Sequence, residues 1–472
     1  ATNLVTAVAD AFLDRAPLVA LTGQGDLGRM HKESHQYIDV VSMMRPITKW
    51  NASLRDPSSI PEVVRKAFKI AEAEKPGATH IELPDNVMAT PVAGRPLVLR
   101  HHRPALVESS PGELGRASYL IRSARNPVIL AGNGVVRGRA AAALREFSEA
   151  TGIPAAETFM GKGLLPADSP QALGAVGLQA GDYSLAGFDE ADLVIAIGYD
   201  LVEHSPVHWN PRRDKRVICI DTVPAEIDGY FAPEVELVGD LRSILLHLLD
   251  ECRIVPRSGG SVELHQAALR RLERSRGDDH FPIHPPRILW EIRQVLGHQD
   301  ILVSDVGLHK LWIGRMFPAY EPGTVLIANG LAGMGFAVPA AIAAKLVHPD
   351  RRVIAISGDG GFLMNCQELE TAVRLGTPFV NVVWEDGAFG SVAWKQERRF
   401  GTHFGTRFGN PDFVKLAESF GIPAWRIYSA DELEPRLRRA LSLNVPSLIV
   451  VPIDYSVDVA IIEELGRETV AT

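Results

Sequence analysis

Residues 353–390 read VIAISGDGGFLMNCQELETAVRLGTPFVNVVWEDGAFG, and the pattern predicts a strand–helix–strand unit. The apolar run Val353 to Ile356 is typical of a strand buried on both faces, and Phe379 to Trp384 predicts a second such strand. Between them we expect a tight glycine turn at Gly358 to Gly361, followed by a helix that begins near Asn365. A crossover of this kind makes the two strands parallel.

Each of the two strands is followed by an acidic residue. Asp359 follows the first strand and Asp386 follows the second, so both should lie at the strand ends where open α/β sheets bind ligands. Two carboxylates brought together there would repel each other unless a hard divalent cation lay between them. The turn glycines Gly358, Gly360 and Gly361 leave backbone N–H groups available to a phosphate. The sequence therefore predicts a diphosphate held through Mg²⁺, although a lone GDG is often an ordinary loop.

A family resemblance supports this interpretation. A GDG motif with a second acidic ligand after the next strand resembles the thiamine-diphosphate signature. The wider segments GDGGFLMNCQELETAVR and PFVNVVWEDGAFGSVAWKQ resemble acetolactate synthases, nearest the FAD-independent catabolic type. The resemblance covers nearly the whole chain. It implies an α/β fold of three domains, with parallel sheets flanked by helices, and a Mg²⁺ ion held by Asp359, Asp386 and the backbone carbonyl of Ala388.

Composition limits the other possibilities. The chain has 472 residues, which predicts more than one domain, and a net charge of −8, which argues against a nucleic-acid surface. Its three cysteines show no zinc-binding or disulfide spacing, so we expect a cytoplasmic protein. No apolar run reaches membrane-spanning length and no signal peptide is expected.

The resemblance implies three domains. They are a partial pyrimidine-binding domain over residues 1–100, a central α/β domain over 105–255 and a diphosphate-binding domain over 280–472. The first domain is expected to be incomplete, because the catalytic Glu of the family falls before Ala1. We expect linkers at 96–116 and 257–281 and a C-terminal helix over 457–472.

The central domain carries only a weak dinucleotide signal. GNGVVRGRA follows a predicted strand at Pro127 to Ala131, but it lacks a matched third glycine. Flavin-containing relatives have an Arg/Asp-rich motif where this chain reads GYDLVEHSPVHWNP. We therefore expect no bound FAD.

The resemblance also assigns contacts to the cofactor. It implies that His309 contacts the diphosphate, that the backbone carbonyl of Ala332 holds the aminopyrimidine, and that Met334 keeps the cofactor bent. Gly358, Asp359, Gly360, Gly361, Asp386 and Ala388 complete the expected cofactor site. Without the resemblance, a lone His at a helix start is more often a cap, and a Met in an apolar setting is more often part of the core.

Three residues are expected to take part in catalysis. The resemblance puts Gln36, in a long polar loop, near the reacting carbon, and it puts Val392 and Lys395 beside the substrate with Trp394. The alternative for Gln36 is a solvated side chain. Relatives usually have Gln where this chain has Lys395, which leaves the second substrate open.

The implied reaction is that of acetolactate synthase. Pyruvate is decarboxylated on thiamine diphosphate, and the remaining two-carbon unit adds to a second pyruvate to give 2-acetolactate. The expected partners are small 2-keto acids and further copies of the chain, as a homodimer or homotetramer, because the family builds its site between subunits. The alternatives are another thiamine-diphosphate decarboxylase, lyase or carboligase, or an inactive cofactor-binding homologue.

Overall fold

The computed structural model describes residues 1–92, 109–177, 186–252 and 261–456. In this part of the chain, helices alternate with strands that pair in parallel, so the predicted α/β class is confirmed. The predicted C-terminal helix at 457–472 lies outside the described residues, and the two predicted linkers lie partly outside them. None of the described helices is both long enough and apolar enough to cross a lipid bilayer.

The chain divides into two compact units. The first consists of Ala1–Leu106 with Asn329–Gly333, and the second of Val107–Ala328 with Met334–Thr472. The division into three domains remains a prediction, and each unit is described separately below.

The first unit contains a small parallel sheet with strand order β1-β3-β2. The strand β2 was not predicted from the sequence. It has only four residues, which are half-buried and mix apolar Trp50 and Ala52 with polar Asn51 and Ser53, so it shows no apolar run. The elements are α1 (Val5–Leu13), β1 (Leu18–Gln24), α2 (Val40–Met44), β2 (Trp50–Ser53), α3 (Ile60–Glu72), β3 (Ala78–Pro84) and α4 (Asp85–Met88).

The second unit contains two six-stranded parallel sheets. The first has the order β6-β5-β4-β7-β8-β9 and buries apolar side chains on both faces. Its elements are α5 (Pro111–Ser123), β4 (Pro127–Ala131), α6 (Asn133–Arg137), α7 (Ala141–Thr151), β5 (Ala155–Thr158), β6 (Ala172–Val176), α8 (Ala186–Asp189), β7 (Leu193–Ile197), β8 (Arg216–Asp221), β9 (Val235–Val238) and α9 (Leu241–Glu251).

The other sheet has the order β11-β10-β12-β13-β15-β14, again parallel throughout. The chain leaves β10 towards β11 on one side and then crosses to β12 on the other, which opens a crevice at the strand ends. Its elements are α10 (Ser261–Arg274), α11 (Pro285–Val295), β10 (Ile301–Ser304), α12 (Leu308–Met316), β11 (Val325–Ile327), α13 (Ala337–Val347), β12 (Val353–Gly358), α14 (Asp359–Asn365), α15 (Glu368–Leu375), β13 (Val380–Glu385), α16 (Gly390–Phe400), α17 (Phe413–Ser419), β14 (Ala424–Arg426), α18 (Leu433–Leu441) and β15 (Ser447–Pro452).

The turn expected after β12 is a helix instead. The helix α14 begins at Asp359, directly after the extended Gly358, and ends at Asn365, so Asn365 does not begin the helix as predicted. The side-chain Nδ2 of Asn365 instead donates to the carbonyl of Gly335, 2.9 Å away. The glycines at 360 and 361 predicted a turn, because glycine is normally unfavourable in helices. Here a Cβ at Gly360 would lie 2.6 Å from the Phe389 ring, so glycine is needed inside the helix. Phe389 packs so close to the backbone of α14 that only glycine fits at position 360.

A buried carboxylate closes the glycine turn after β4. Glu203 accepts hydrogen bonds from the backbone N–H of Asn133, at 3.1 Å from each oxygen, and from the hydroxyl of Thr158. Burial raises the pKa of Glu203 from 4.5 to about 7, and the nearby charge of Asp200 adds to the shift, although these hydrogen bonds oppose it. Folding therefore favours the protonated form, and this contribution to stability is lost as pH rises from 4.5 through about 7.

We predict that Glu203→Gln removes this pH dependence. Because the wild type must bury a charge above pH 7, the stability of the variant relative to wild type should increase with pH by up to about 3 kcal/mol. Calorimetric melting temperatures between about pH 5 and 8 test the prediction. The exposed Glu149→Gln, on α7, serves as the matched control. A constant difference between E203Q and wild type over this range would contradict it.

Candidate functional site

Three helices begin around one pocket in the second unit. The helix α12 follows β10, α14 follows β12 and α16 follows β13, so the backbone N–H groups of all three first turns meet at the same edge of the sheet. Helix N-termini carry partial positive charge and attract anions. The pocket is lined by Val306, Gly307, Leu308, His309, Met334, Gly358, Asp359, Gly360, Gly361, Asp386, Ala388, Phe389, Gly390, Ser391, Val392 and Tyr455.

The carboxylate of Asp359 lies at the centre of this edge. It is 1% exposed, and its Oδ1 accepts the N–H of Gly360 at 2.7 Å. Its Oδ2 accepts the N–H groups of Asp386 at 3.1 Å and Gly387 at 2.7 Å, and the side-chain Nδ2 of Asn410 at 2.8 Å. These bonds fix the carboxylate against the loop after β13, so the two predicted acidic residues do lie together.

The carboxylate of Asp386 lies beside that of Asp359. Burial, and secondly the charge of Asp359, raise the pKa of Asp386 to about 6, and Arg407 partly opposes the shift. An antiparallel bridge between Ala388 and Arg407 fixes the loop that follows. Within it, the Phe389 N–H donates to the carbonyl of Thr406 at 2.8 Å. Two acidic side chains in one partly buried recess are a donor set suited to a hard cation.

His309 is buried at the start of α12. Burial lowers the pKa of His309 to about 4 despite a hydrogen bond to the backbone of Asp305, so the ring is neutral at physiological pH. Its Nε2 is buried and has no hydrogen-bond partner among the residues that the structure describes, although the residue lines the pocket. A buried polar atom without a partner is unusual, and a bound ligand would satisfy it.

Asp305 connects the end of β10 to the loop that carries Met334. Its buried carboxylate accepts the N–H groups of Val306 at 2.7 Å and Gly335 at 2.9 Å, and that of Ala337 at 3.5 Å. Burial raises the pKa of Asp305, and these hydrogen bonds oppose the shift. Met334 is thereby held at the wall of the pocket.

The predicted catalytic residues occupy different places. Val392 lines the pocket, and Trp394 lines a wider neighbouring recess together with Asp386, Glu397 and His403. Lys395 is exposed on α16 and lines neither of them, and its role beside the substrate remains a prediction.

Gln36 and Ala332 belong to the first unit. Both have the left-handed backbone that is uncommon in residues other than glycine, with φ of 61° and 57°. Gln36 is exposed. Their predicted roles in catalysis and in holding the cofactor remain predictions.

Sequence reasoning missed several residues of the site. Asn410 lies 24 positions beyond Asp386 in the chain, and nothing local to it signals a contact with Asp359. Asp305 stands directly after a predicted strand, as Asp359 does, and this position was an available signal. Phe389 and Tyr455 line the pocket as ordinary apolar residues, for which the sequence offers no signal.

Comparison with known proteins identifies the family. The model for the C-terminal TPP binding domain of thiamine pyrophosphate enzymes matches residues 305–451, and the model for their central domain matches residues 114–248. The chain is 36% identical to an acetolactate synthase of Bacillus subtilis over 468 residues, which span 97% of this chain and 81% of that protein. The chain belongs to the acetolactate synthase family of thiamine pyrophosphate enzymes.

Other members of this family are similarly related. A probable acetolactate synthase large subunit of Methanocaldococcus jannaschii is 36% identical, with 99% of this chain and 82% of that protein aligned. A catabolic acetolactate synthase of Raoultella terrigena is 33% identical, with 96% and 82% aligned. The matched TPP binding domain begins at Asp305 and contains Asp359, Asp386 and Asn410.

The pocket fits the diphosphate of the family's cofactor. Three helix N-termini offer backbone N–H groups to its oxygens, and the buried Nε2 of His309 has no partner within the described residues. A Cβ at Gly361 would lie 3.1 Å from the Asp305 carboxylate, and one at Gly358 would lie 3.4 Å from the His309 ring. Asp305 and His309 therefore lie so close to the glycine backbone that a larger residue at either position would crowd them.

We predict that Asn410→Ala weakens thiamine diphosphate binding by about 10- to 100-fold, the range typical of residues that orient a ligand without binding it. The substitution removes one donor to Asp359 Oδ2, so the carboxylate loses part of its fixed orientation. Tryptophan fluorescence titration with the cofactor measures the affinity. The exposed Asn444→Ala is the control, and equal affinities for N410A and wild type would contradict the prediction.

Proposed function

We propose that this chain converts two molecules of pyruvate into 2-acetolactate and carbon dioxide, with thiamine diphosphate bound through Mg²⁺. Membership of the acetolactate synthase family supports the reaction. The observation that carries the proposal is the pair of carboxylates, Asp359 and Asp386, at an edge where three helices begin. This arrangement can hold a cation and an anionic diphosphate side by side.

Asp359, Asp386 and the backbone carbonyl of Ala388 would bind the Mg²⁺. All three offer oxygen atoms, which Mg²⁺ prefers. Asp359 already accepts four hydrogen bonds and is fixed before any ion binds, so binding requires little reordering of its side chain. Burial raises the pKa of Asp386, repulsion from Asp359 adds to the shift, and the positive ion would relieve that repulsion.

The bound cofactor supplies the nucleophilic carbon and accepts the electron pair released when carbon dioxide leaves. The chain's own residues prepare the surroundings. Met334 and Val392 add apolar surface to the pocket, which disfavours the charged carboxylate of the substrate relative to the neutral product. Gln36 would donate a hydrogen bond to the developing oxyanion.

We further propose that no FAD is bound. In dinucleotide-binding sheets a phosphate lies at the helix start that follows the first strand. In this chain the carboxylate of Glu203 accepts the Asn133 N–H at the start of α6, so it already uses a donor that a phosphate would need. A Cβ at Gly134 would lie 2.5 Å from Gly198, so this glycine serves packing within the sheet. Flavin absorbance in the purified protein would contradict the proposal.

We also propose a cytoplasmic homodimer or homotetramer. The three cysteines are free thiols, as expected in a reducing compartment. The helix α16 has no buried residue although it borders the candidate site, and Phe400 and Phe404 near its end are 67% and 91% exposed. Apolar surface of this kind favours a subunit interface. A fully active monomer in sedimentation would contradict the proposal.

Mg²⁺-dependent cofactor binding should weaken in acid. Mg²⁺ requires the ionised form of Asp386, whose pKa is about 6 without the ion, so protons compete below that value. We expect the affinity to be constant above about pH 7 and to fall about tenfold for each pH unit well below 6. Fluorescence titrations of cofactor with Mg²⁺ across this range test it. Asp386→Asn should bind weakly with a flatter pH profile, and the exposed Asp250→Asn should behave as wild type.

The reaction itself is tested by product analysis. The chain, supplied with pyruvate, thiamine diphosphate and Mg²⁺, should release carbon dioxide and 2-acetolactate in a 1:1 ratio. We expect D386N to lose at least about 100-fold in rate, because it removes a charged ligand from the ion that holds the cofactor. Acetaldehyde as the main product would indicate a simple decarboxylase. Cofactor binding without any turnover would indicate an inactive homologue.

A further inference from the structure

A second cluster of metal-binding side chains lies in the second unit. The Nε2 atom of His280 is 2.9 Å from Oδ2 of Asp454, and the Nε2 atom of His284 is 3.8 Å from the same oxygen. The ligand atoms of the three residues all lie within 4.8 Å of one another. Two imidazole nitrogens and one carboxylate oxygen thus lie close together.

The backbone holds the two segments of this cluster in register. The N–H of Ile283 donates to the carbonyl of Pro452 at 3.0 Å, and the N–H of Asp454 donates to the carbonyl of Ile283 at 3.1 Å. These bonds form a parallel bridge that continues the end of β15. Because backbone bonds position the side chains, the arrangement does not depend on attraction between the side chains themselves.

Asp278 supports the cluster without belonging to it. Its Oδ2 lies 2.7 Å from Nδ1 of His284, which leaves Nε2 of that ring directed at Asp454. The rings of His284 and His280 stack with centroids 4.0 Å apart and planes 2° apart. Because the nitrogen lone pairs lie in the ring planes, His280, the more exposed of the two, must turn out of the stack before both Nε2 atoms can bind one ion. A carboxylate on the far nitrogen of a histidine is the usual way in which proteins orient a metal ligand.

We propose that His280 Nε2, His284 Nε2 and the Asp454 carboxylate bind a divalent transition-metal ion of the Zn²⁺ type. In a tetrahedral zinc site with bonds of 2.0–2.2 Å, ligand atoms lie about 3.3 Å apart, and the observed separations of 2.9 and 3.8 Å fall on either side. Imidazole nitrogen favours Zn²⁺ over Mg²⁺, so this site differs in chemistry from the oxygen-only pair Asp359 and Asp386. Three protein ligands leave one position for water.

An ion at this cluster would lie beside the wider recess next to the cofactor pocket. Asp454 and Pro282 line the wider recess beside the cofactor pocket, and Tyr455 lines both. An ion shared by the 280–284 and 452–456 segments would fix the wall of that recess. It should therefore raise the thermal stability of the protein and hold Tyr455 in place.

The test uses untagged protein saturated with thiamine diphosphate and excess Mg²⁺, so that the oxygen-rich site is filled. Zn²⁺ retained after gel filtration is counted, and its affinity is measured by competition with a chelator. We expect one Zn²⁺ per chain. His280→Ala and His284→Ala should each lower the affinity at least about 100-fold, and Asp278→Asn by about 10- to 100-fold, because it only orients His284. His247→Ala, an exposed histidine paired with Glu251, is the matched control.

Two further measurements make the outcome decisive. Co²⁺ in place of Zn²⁺ should give strong visible absorption, because four-coordinate cobalt with nitrogen ligands absorbs far more than octahedral cobalt with oxygen ligands. His284→Gln and melting temperatures in chelator show whether the variants fold as the wild type does. Equal zinc content in wild type and in the double variant H280A/H284A overturns the proposal. So does a melting temperature that is lowered by the substitutions but unaffected by Zn²⁺, since the side chains would then form only a hydrogen-bonded link.

Discussion

The candidate site depends on the burial of one charged group, the carboxylate of Asp359. A buried carboxylate is stable only if hydrogen bonds compensate for the water it has lost. Here three backbone N–H groups and the Asn410 amide supply them, and two of those N–H groups come from the loop after the neighbouring strand. The bonds that hold the Asp359 carboxylate in place therefore also set the position of Asp386.

The sheet determines where this can happen. Parallel strands in the order β10-β12-β13 place three strand ends side by side, and each strand is followed by a helix start. The positive ends of three helices and the negative charges of two carboxylates thus occupy one edge. Such an edge accepts a cation and an anion together, which is what a metal-bound diphosphate consists of.

Local signals account for what the sequence could predict. Val353 to Ile356 and Phe379 to Trp384 are buried apolar runs, and their parallel pairing followed from the helix predicted between them. Both predictions were confirmed. The proximity of Asp359 to Asp386 followed from the same argument. Asn410 could not be found, because its contact is set by a loop returning from a distant position. The helix α14 was missed because its glycines are required by packing against Phe389 and Asp305, which no local pattern reports.

The bridge between Ala388 and Arg407 lies between the loop that carries Asp386 and the segment that contains α16. Asp386 and Gly387, which precede the bridge, hold the carboxylate of Asp359 through their N–H groups. The bridge closes off residues 390–405, which include α16, as an excursion whose two ends are held together. Gly390, Ser391 and Val392, at the start of the excursion, line the pocket. Beyond Val392, the length and side chains of the excursion can change while the bridge keeps the loop that carries Asp386 in place.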